Sequence, residues 1–372
     1  MANPSHVRQI VGAPFVPPPL LTRAVTRVRA GLLWSHRRTA PPALRVVETV
    51  FALFDNRVLG LVVELDLPEL LDRPRTVEEL AKATGSNADA LARVLRYAAG
   101  RGFVTWRRSG RYQANQFTRV LRRDNVNSWR GWAEFGASDW FWDSWRHADA
   151  AVRGDSNGIK AATGHSFFDY VTTVRPEAGR TFNDAMRAGS VLQAVALAEG
   201  LEWQHVRRLC DVGGGTGGAL EHLLEAHAHI EGTLFDLPAV VADARPGLVS
   251  GALATRCRIE GGSFFDRVPE GHDRYLLLAV VHDWADEEAA AILRTVAASV
   301  PDHGEIVVVE SVLSDTPTDE FAAASDLLML VLASGRERTR AQFEELFSTA
   351  GLTLTAATPL ATGFTAFRLH RR

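Results

Sequence analysis

Cysteine is almost missing: Cys210 and Cys257 are the only two in 372 residues, far apart and without CxxC spacing. A disulfide framework and a cysteine zinc site are thereby excluded, and a reducing, cytoplasmic setting fits. No metal is expected. A basic surplus is also missing, the formal net charge being -3, so nothing in the charge balance asks for nucleic acid or an anionic membrane as partner. No apolar run approaches the roughly 20 residues that span a bilayer. The first residues lack a basic start followed by an apolar core, so no signal peptide is expected.

What remains is ordinary globular composition, 46% hydrophobic and 23% charged, in a chain long enough for two or three domains. Residues 1–40 read as a proline-containing arm, because the prolines of PFVPPPLL cannot continue a helix or a central strand. Residues 41–123 read as a mostly helical, winged-helix domain. RVVETVFALFDNRVLGLVVEL is a long and unusually apolar helix. Thr76 and Glu79 then form a capping box, Gly85 ends a short helix, a second helix follows, and a hairpin turns at Ser109-Gly110. Such a domain could read DNA, with Arg93, Arg96, Arg107, Arg108 and Arg111 in support. Without a wider basic surplus, burial of the apolar helix against a second copy, giving a homodimer, is the better reading.

Residues 124–200 read as helical and aromatic. Trp129, Trp132, Trp140, Trp142 and Trp145 fall within 17 positions, a density that suits one wall of a pocket for a flat apolar ligand. Trp142 is taken as a representative of that wall. From 201 to 372, strand-like and helical runs alternate, which predicts a doubly wound, mostly parallel α/β sheet. The last two runs are close enough to form an antiparallel hairpin.

DVGGGTGGAL follows the first of these strands. Gly213, Gly215 and Gly218 satisfy G-x-G-x-x-G, and Asp236 lies 21 residues after Gly215, placed to accept ribose hydroxyls. An adenosine-type cofactor is implied. Asp211 discriminates among them. A carboxylate there repels a pyrophosphate and attracts a ligand bearing an amino group and a sulfonium, which favours S-adenosylmethionine over NAD.

The stretch LLLAVVHDWADEE ends an apolar run, the fourth strand, with His282 and Asp283. Strand ends on the carboxyl edge of an open α/β sheet face the ligand crevice. Glu310 lies inside or at the end of the fifth strand, VVVESV, and Glu337 lies in the GRERT loop. Histidine is the side chain poised to take a proton near neutrality, and a carboxylate on its other ring nitrogen fixes the tautomer.

At these residues the chain resembles a family. LCDVGGGTGG, LFDLP, GGSFFDRVP, YLLLAVVHDWADEE, VVVES and DLLMLVLASGRERT look like successive motifs of the small-molecule O-methyltransferases, both plant caffeate and flavonoid enzymes and bacterial tailoring enzymes of polyketide and antibiotic pathways. The resemblance runs from about residue 43 to the end. It implies His282 as general base with Glu310 and Glu337 beside it, and dimerisation through the N-terminal domain. It implies Gly213, Asp236, Ser263 and Phe264 around the cofactor, with Leu237, Gly262 and Leu278 next to them. It also implies Phe168, Asn183, Met186 and Met329 near the acceptor. Two positions depart from the pattern: Ser263 stands where many relatives have aspartate, and Leu278 where plant relatives often have lysine.

The expected reaction is methylation of a phenol or enol oxygen of a small planar aromatic. Phenols have an ordinary pKa near 10 against about 6.5 for histidine, so proton removal is expected to accompany attack rather than precede it. Alternatives are non-methylating chemistry on the same fold and cofactor, an NAD-dependent oxidoreductase, and a winged-helix DNA-binding regulator.

Overall fold

The apolar runs beyond residue 205 form one seven-stranded sheet. A computed structural model describes residues 19–125, 127–316 and 320–372. The strands are β1 (Arg208–Val212), β2 (Glu231–Asp236), β3 (Cys257–Gly261), β4 (Arg274–Leu278), β5 (Glu305–Glu310), β6 (Leu352–Pro359) and β7 (Thr365–Arg371). Their spatial order is β6-β7-β5-β4-β1-β2-β3. Strands β1 to β5 run parallel, and β7 pairs antiparallel with both β5 and β6, as the closing hairpin requires. The order reverses between β1 and β4, so a crevice is expected outside their carboxyl ends.

The parallel strands are nearly continuous hydrophobic runs because both faces are covered. Successive residues feed opposite cores. Cys210, Val212, Tyr275, Leu277, Ile306 and Val308 pack with helices Asp286–Ser299 and Arg340–Thr349. Leu209, Leu276, Val307 and Val309 pack with helix Gly218–Ala226 and the end of helix Pro176–Gly200. The strand period of 2 therefore fixes the register and with it the level at which each strand ends.

The described residues divide into two compact units, one of Val25–Trp142 with Arg180–Ala188 and one holding Asp143–Gly179 and Gly189–Arg372 together with residues 19–24. The aromatic segment 124–200 is thus shared between them. In the first unit, Thr76 and Glu79 make the expected capping box, Gly85 ends helix Val77–Thr84 in the left-handed region, and helix Ala88–Gly100 starts at Asn87. A short hairpin, Thr105–Trp106 with Tyr112–Gln113, follows. Leu80, Leu91, Leu95 and Val104 are buried together with Val62 and Val63 of helix Pro42–Glu64.

The arm expected over residues 1–40 is helical from Pro19 to Thr39. Pro19 opens that helix, where its missing amide costs nothing. Residues 1–18, with the other prolines of PFVPPPLL, lie outside the described residues. Among the described residues no helix is long and apolar enough to cross a membrane.

Candidate active site

Strand β4 stops at Leu278, and His282 sits on a short 3-10 turn, Val281–Asp283. The histidine therefore follows the strand end by a turn, where a place on the strand itself was expected. Two features build that turn. Ala279 has φ 54°, a left-handed conformation that an alanine adopts only at a cost of about 1–2 kcal/mol. Glu310, at the end of β5, compensates. Its Oε1 accepts the backbone amides of Val280, Val281 and His282 at 3.1, 2.7 and 3.3 Å. A fully buried carboxylate needs such donors.

The imidazole faces three acids. Nδ1 lies 3.1 Å from Glu337 Oε1 and 3.2 Å from Glu310 Oε2, while Nε2 lies 3.6 Å from Asp283 Oδ1. Glu337 is held from helix Glu320–Leu332: Ser325 Oγ donates to its Oε1 at 2.7 Å, and its amide donates to Asp326 Oδ1 at 2.9 Å. Ser334 has φ 60°, and at Gly335 an added Cβ would drive into the carbonyl of His282. The two strained residues outside the first unit thus flank the two segments that meet at the ring.

Burial alone would push the His282 pKa down. The carboxylates of Glu310, Asp283 and Glu337 outweigh it and raise the value to about 10. Burial in turn pushes Asp283 up to about 6, against the pull of His282. Glu310 is raised by burial as well. The expectation of an ordinary histidine, several units more acidic than a phenol, is therefore corrected.

Beside this turn, Gly213 has φ 70°, and a Cβ there would sit 2.8 Å from Val280. Only glycine lets the loop after β1 run so close to the β4 end. Asp236 Oδ2 accepts the Gly215 amide at 2.8 Å and its Oδ1 accepts Leu237 at 2.6 Å, so the acid is anchored at the loop. The Gly262 amide donates to the Asp236 carbonyl at 2.9 Å, and Ser263 Oγ caps the turn at Phe265. Leu278 closes β4 and packs against apolar neighbours.

Asp211 is fully buried, with neither carboxylate oxygen hydrogen-bonded. Burial, helped by Asp236, pushes its pKa up to about 7. An orphaned buried carboxylate beside a glycine loop and an anchored second acid suits a nucleoside ligand that carries positive charge.

Phe168 stacks on Trp284 with centroids 5.4 Å apart, and Phe264 and Phe265 meet the same indole edge-on at 5.8 and 4.7 Å. Met329 is buried one turn after Ser325 on the same helix face. Trp142, Asn183 and Met186 belong to the other compact unit, where Trp132, Phe135, Trp140 and Phe141 pack on one another as core. Trp284, Phe265, Ser325 and Arg338 were not among the residues expected at the site. Trp284, Phe265 and Arg338 each adjoin one that was.

Residues 145–353 match the O-methyltransferase domain and residues 47–124 the O-methyltransferase dimerisation domain. Mitomycin biosynthesis 6-O-methyltransferase of Streptomyces lavendulae is 33% identical over 82% of this chain and 88% of its own. O-demethylpuromycin-O-methyltransferase of Streptomyces alboniger is 34% identical over 84% of each. A solved O-methyltransferase from neocarzinostatin biosynthesis, in complex with S-adenosylmethionine and 2-hydroxy-5-methyl naphthoic acid, superposes with TM-score 0.72 at 29% identity over 86% of this chain and 96% of that one.

Proposed function

This chain belongs to the S-adenosylmethionine-dependent O-methyltransferases, and we propose that it methylates a phenol or enol hydroxyl of a small planar aromatic with His282 as general base. The observation that carries the reading is the imidazole whose Nδ1 lies between two buried carboxylates, beside the glycine loop. Nδ1 is thereby committed to a carboxylate, and Nε2 is left as the nitrogen that exchanges a proton with the acceptor.

When bound, the cofactor supplies an electrophilic methyl carbon. Asp211, Gly213, Gly215, Asp236, Leu237, Gly262, Ser263, Phe264 and Leu278 are the residues that would hold it, the two aspartates meeting its amino and ribose hydroxyl groups. Asp283, Glu310 and Glu337 stabilise the imidazolium once His282 has accepted a proton. With His282 raised to about 10, proton transfer from a phenol is nearly balanced, since an ordinary phenol also titrates near 10. The cost moves elsewhere: at neutral pH His282 must first lose its resting proton. Phe168 and Met329 are the proposed acceptor contacts, and the rings of Phe168, Phe264 and Trp284 exclude water from the charge-neutralising step.

Leu44, Val46, Val47, Val50, Phe51, Leu53 and Phe54 of helix Pro42–Glu64 are all exposed. Together with the dimerisation-domain match, this supports a homodimer covering that helix. The two free cysteines support a cytoplasmic location. The test is mass spectrometry of an aromatic hydroxyl panel incubated with methyl-labelled S-adenosylmethionine, using the wild type and His282→Ala. Label should appear on a hydroxyl oxygen only with the wild type. Equal label with both would remove His282 from the base role.

A further inference from the structure

Arg338 is fully buried, and no step described above uses it. Its guanidinium is spent on one short segment. Nε donates to Asp286 Oδ1 at 2.8 Å, Nη1 to the carbonyls of Val281 at 3.1 Å and Arg336 at 3.3 Å, and Nη2 to the carbonyl of Trp284 at 2.8 Å. Next to it, the Arg336 amide donates to the His282 carbonyl at 2.8 Å. The carbonyls of residues 281, 282 and 284 are therefore all held by residues 336 and 338. Arg338 also pairs with Val312 in a two-residue parallel ladder, two positions beyond Glu310. One stretch thus ties together the segments that carry His282, Glu310 and Glu337. Neighbouring side chains in an extended stretch point opposite ways, so Glu337 meets the ring while Arg338 grips the backbone beneath it.

We propose that Arg338 is a positioning residue of the methyl-transfer reaction: by gripping the backbone on both sides of His282 and Asp283, it fixes the imidazole against Glu337 and Glu310. Only a planar fork of donors serves three carbonyls and a carboxylate at once, whereas lysine offers a point charge. The inference rests on His282 being the base. The charged groups around the ring are Glu310 from β5, Glu337 from the loop and Asp283 on its own turn. Arg338, Asp286 and Arg336 lie behind them.

The test is the titration of His282 by NMR in full-length protein labelled with 15N-histidine, its signal identified by loss in His282→Gln. Deleting a nearby cation would by itself raise the His282 pKa, whereas loosening its approach to the carboxylates lowers it. Arg338→Lys and Arg338→Met are both expected to lower it by about one unit or more. S-adenosylmethionine affinity by calorimetry should stay within about threefold, a shift of under 1 kcal/mol. An unchanged value in Arg338→Lys, or a higher one in Arg338→Met, overturns the positioning role. An ordinary titration in the wild type overturns the electrostatic support of His282 as base, whatever Arg338 does. If Arg338→Met does not fold, Arg338→Lys, which keeps the charge, carries the same test.

Discussion

Strands β4 and β5 end in two buried ion clusters of opposite design. At their amino ends, Glu305 lies between two arginines, accepting from Arg274 Nε at 2.8 Å and from Arg368 Nε at 2.7 Å, and Arg274 covers the Trp203 ring at 4.4 Å. Burial alone would raise Glu305, but the two cations hold it below the ordinary carboxylate range. At the carboxyl ends, one histidine faces Glu310, Glu337 and Asp283, with Asp211 and Asp236 on the adjoining strands. There burial raises Asp211, Asp283 and Glu310, and the histidine is raised too. The first cluster is arranged so that every charge stays ionised. The second carries more negative charge than its partners neutralise: Glu310 and Asp236 draw hydrogen bonds from backbone amides, whereas Asp211 draws none. A charge surplus that costs stability is retained where it does chemistry.

The sharpest way to break that contrast is at the centre of the second cluster. His282→Ala should lower turnover by roughly 10²- to 10⁴-fold, the span of a general-base contribution, while leaving cofactor binding nearly intact by calorimetry. At the first cluster the sign of the trade reverses. Glu305→Gln leaves the buried guanidinium of Arg274, and the partly exposed one of Arg368, without their carboxylate and should cost about 3–5 kcal/mol of unfolding free energy by denaturant titration. The folded fraction should retain wild-type turnover. A loss of turnover without a loss of stability would erase the distinction between the two ends.

Much of this was legible in the sequence, for a physical reason. Strands buried on both faces write themselves as unbroken apolar runs, and G-x-G and the acid after β2 are spaced by the geometry of a β-α-β unit, so the sheet and its glycine loop could be read directly. His282, Glu310 and Glu337 could be read because each interrupts or follows such a run. The turn that carries His282 could not. It depends on a left-handed Ala279 and on amides gathered by Glu310, neither of which leaves a pattern along the chain. Arg338 was hidden for a similar reason, since a buried arginine bonded to carbonyls looks in sequence like any surface arginine. The tryptophans of 129–145 looked like one pocket wall, yet Trp140 belongs to an aromatic core with Phe135 and Phe141. Helical spacing does not say which neighbour a ring meets.

Asp211 sharpens the comparison from the stability side. The folded protein holds its proton up to about pH 7, whereas the unfolded chain releases it near 3.8. The cost of this carboxylate therefore grows as pH rises from about 4 to about 7 and is fully present above that. Asp211→Asn should stabilise the ligand-free protein at pH 8, by an amount on the order of 2–4 kcal/mol, with the gain vanishing near pH 4. The same variant should bind S-adenosylmethionine about tenfold more weakly, the loss of one charge-assisted contact. Melting curves at both pH values, with and without cofactor, give both quantities.

The gentlest probe is pH itself. The value of kcat/KM for the cofactor reports groups in the free enzyme. Below the raised pKa of His282, about 10, the base form is the minor one, so this value should climb about tenfold per unit between pH 7 and 9 and bend only towards 10. A phenol acceptor also ionises near 10, so the wild-type curve alone does not name the group. Glu310→Gln does. It removes a carboxylate that raises His282 and leaves the acceptor untouched, so the bend should move down by about a unit or more, while an acceptor-borne bend would stay where it is. A profile already flat from pH 7 to 9 in the wild type would mean that the three acids do not hold a proton on His282, and that the two ends of β4 and β5 differ less than their contacts suggest.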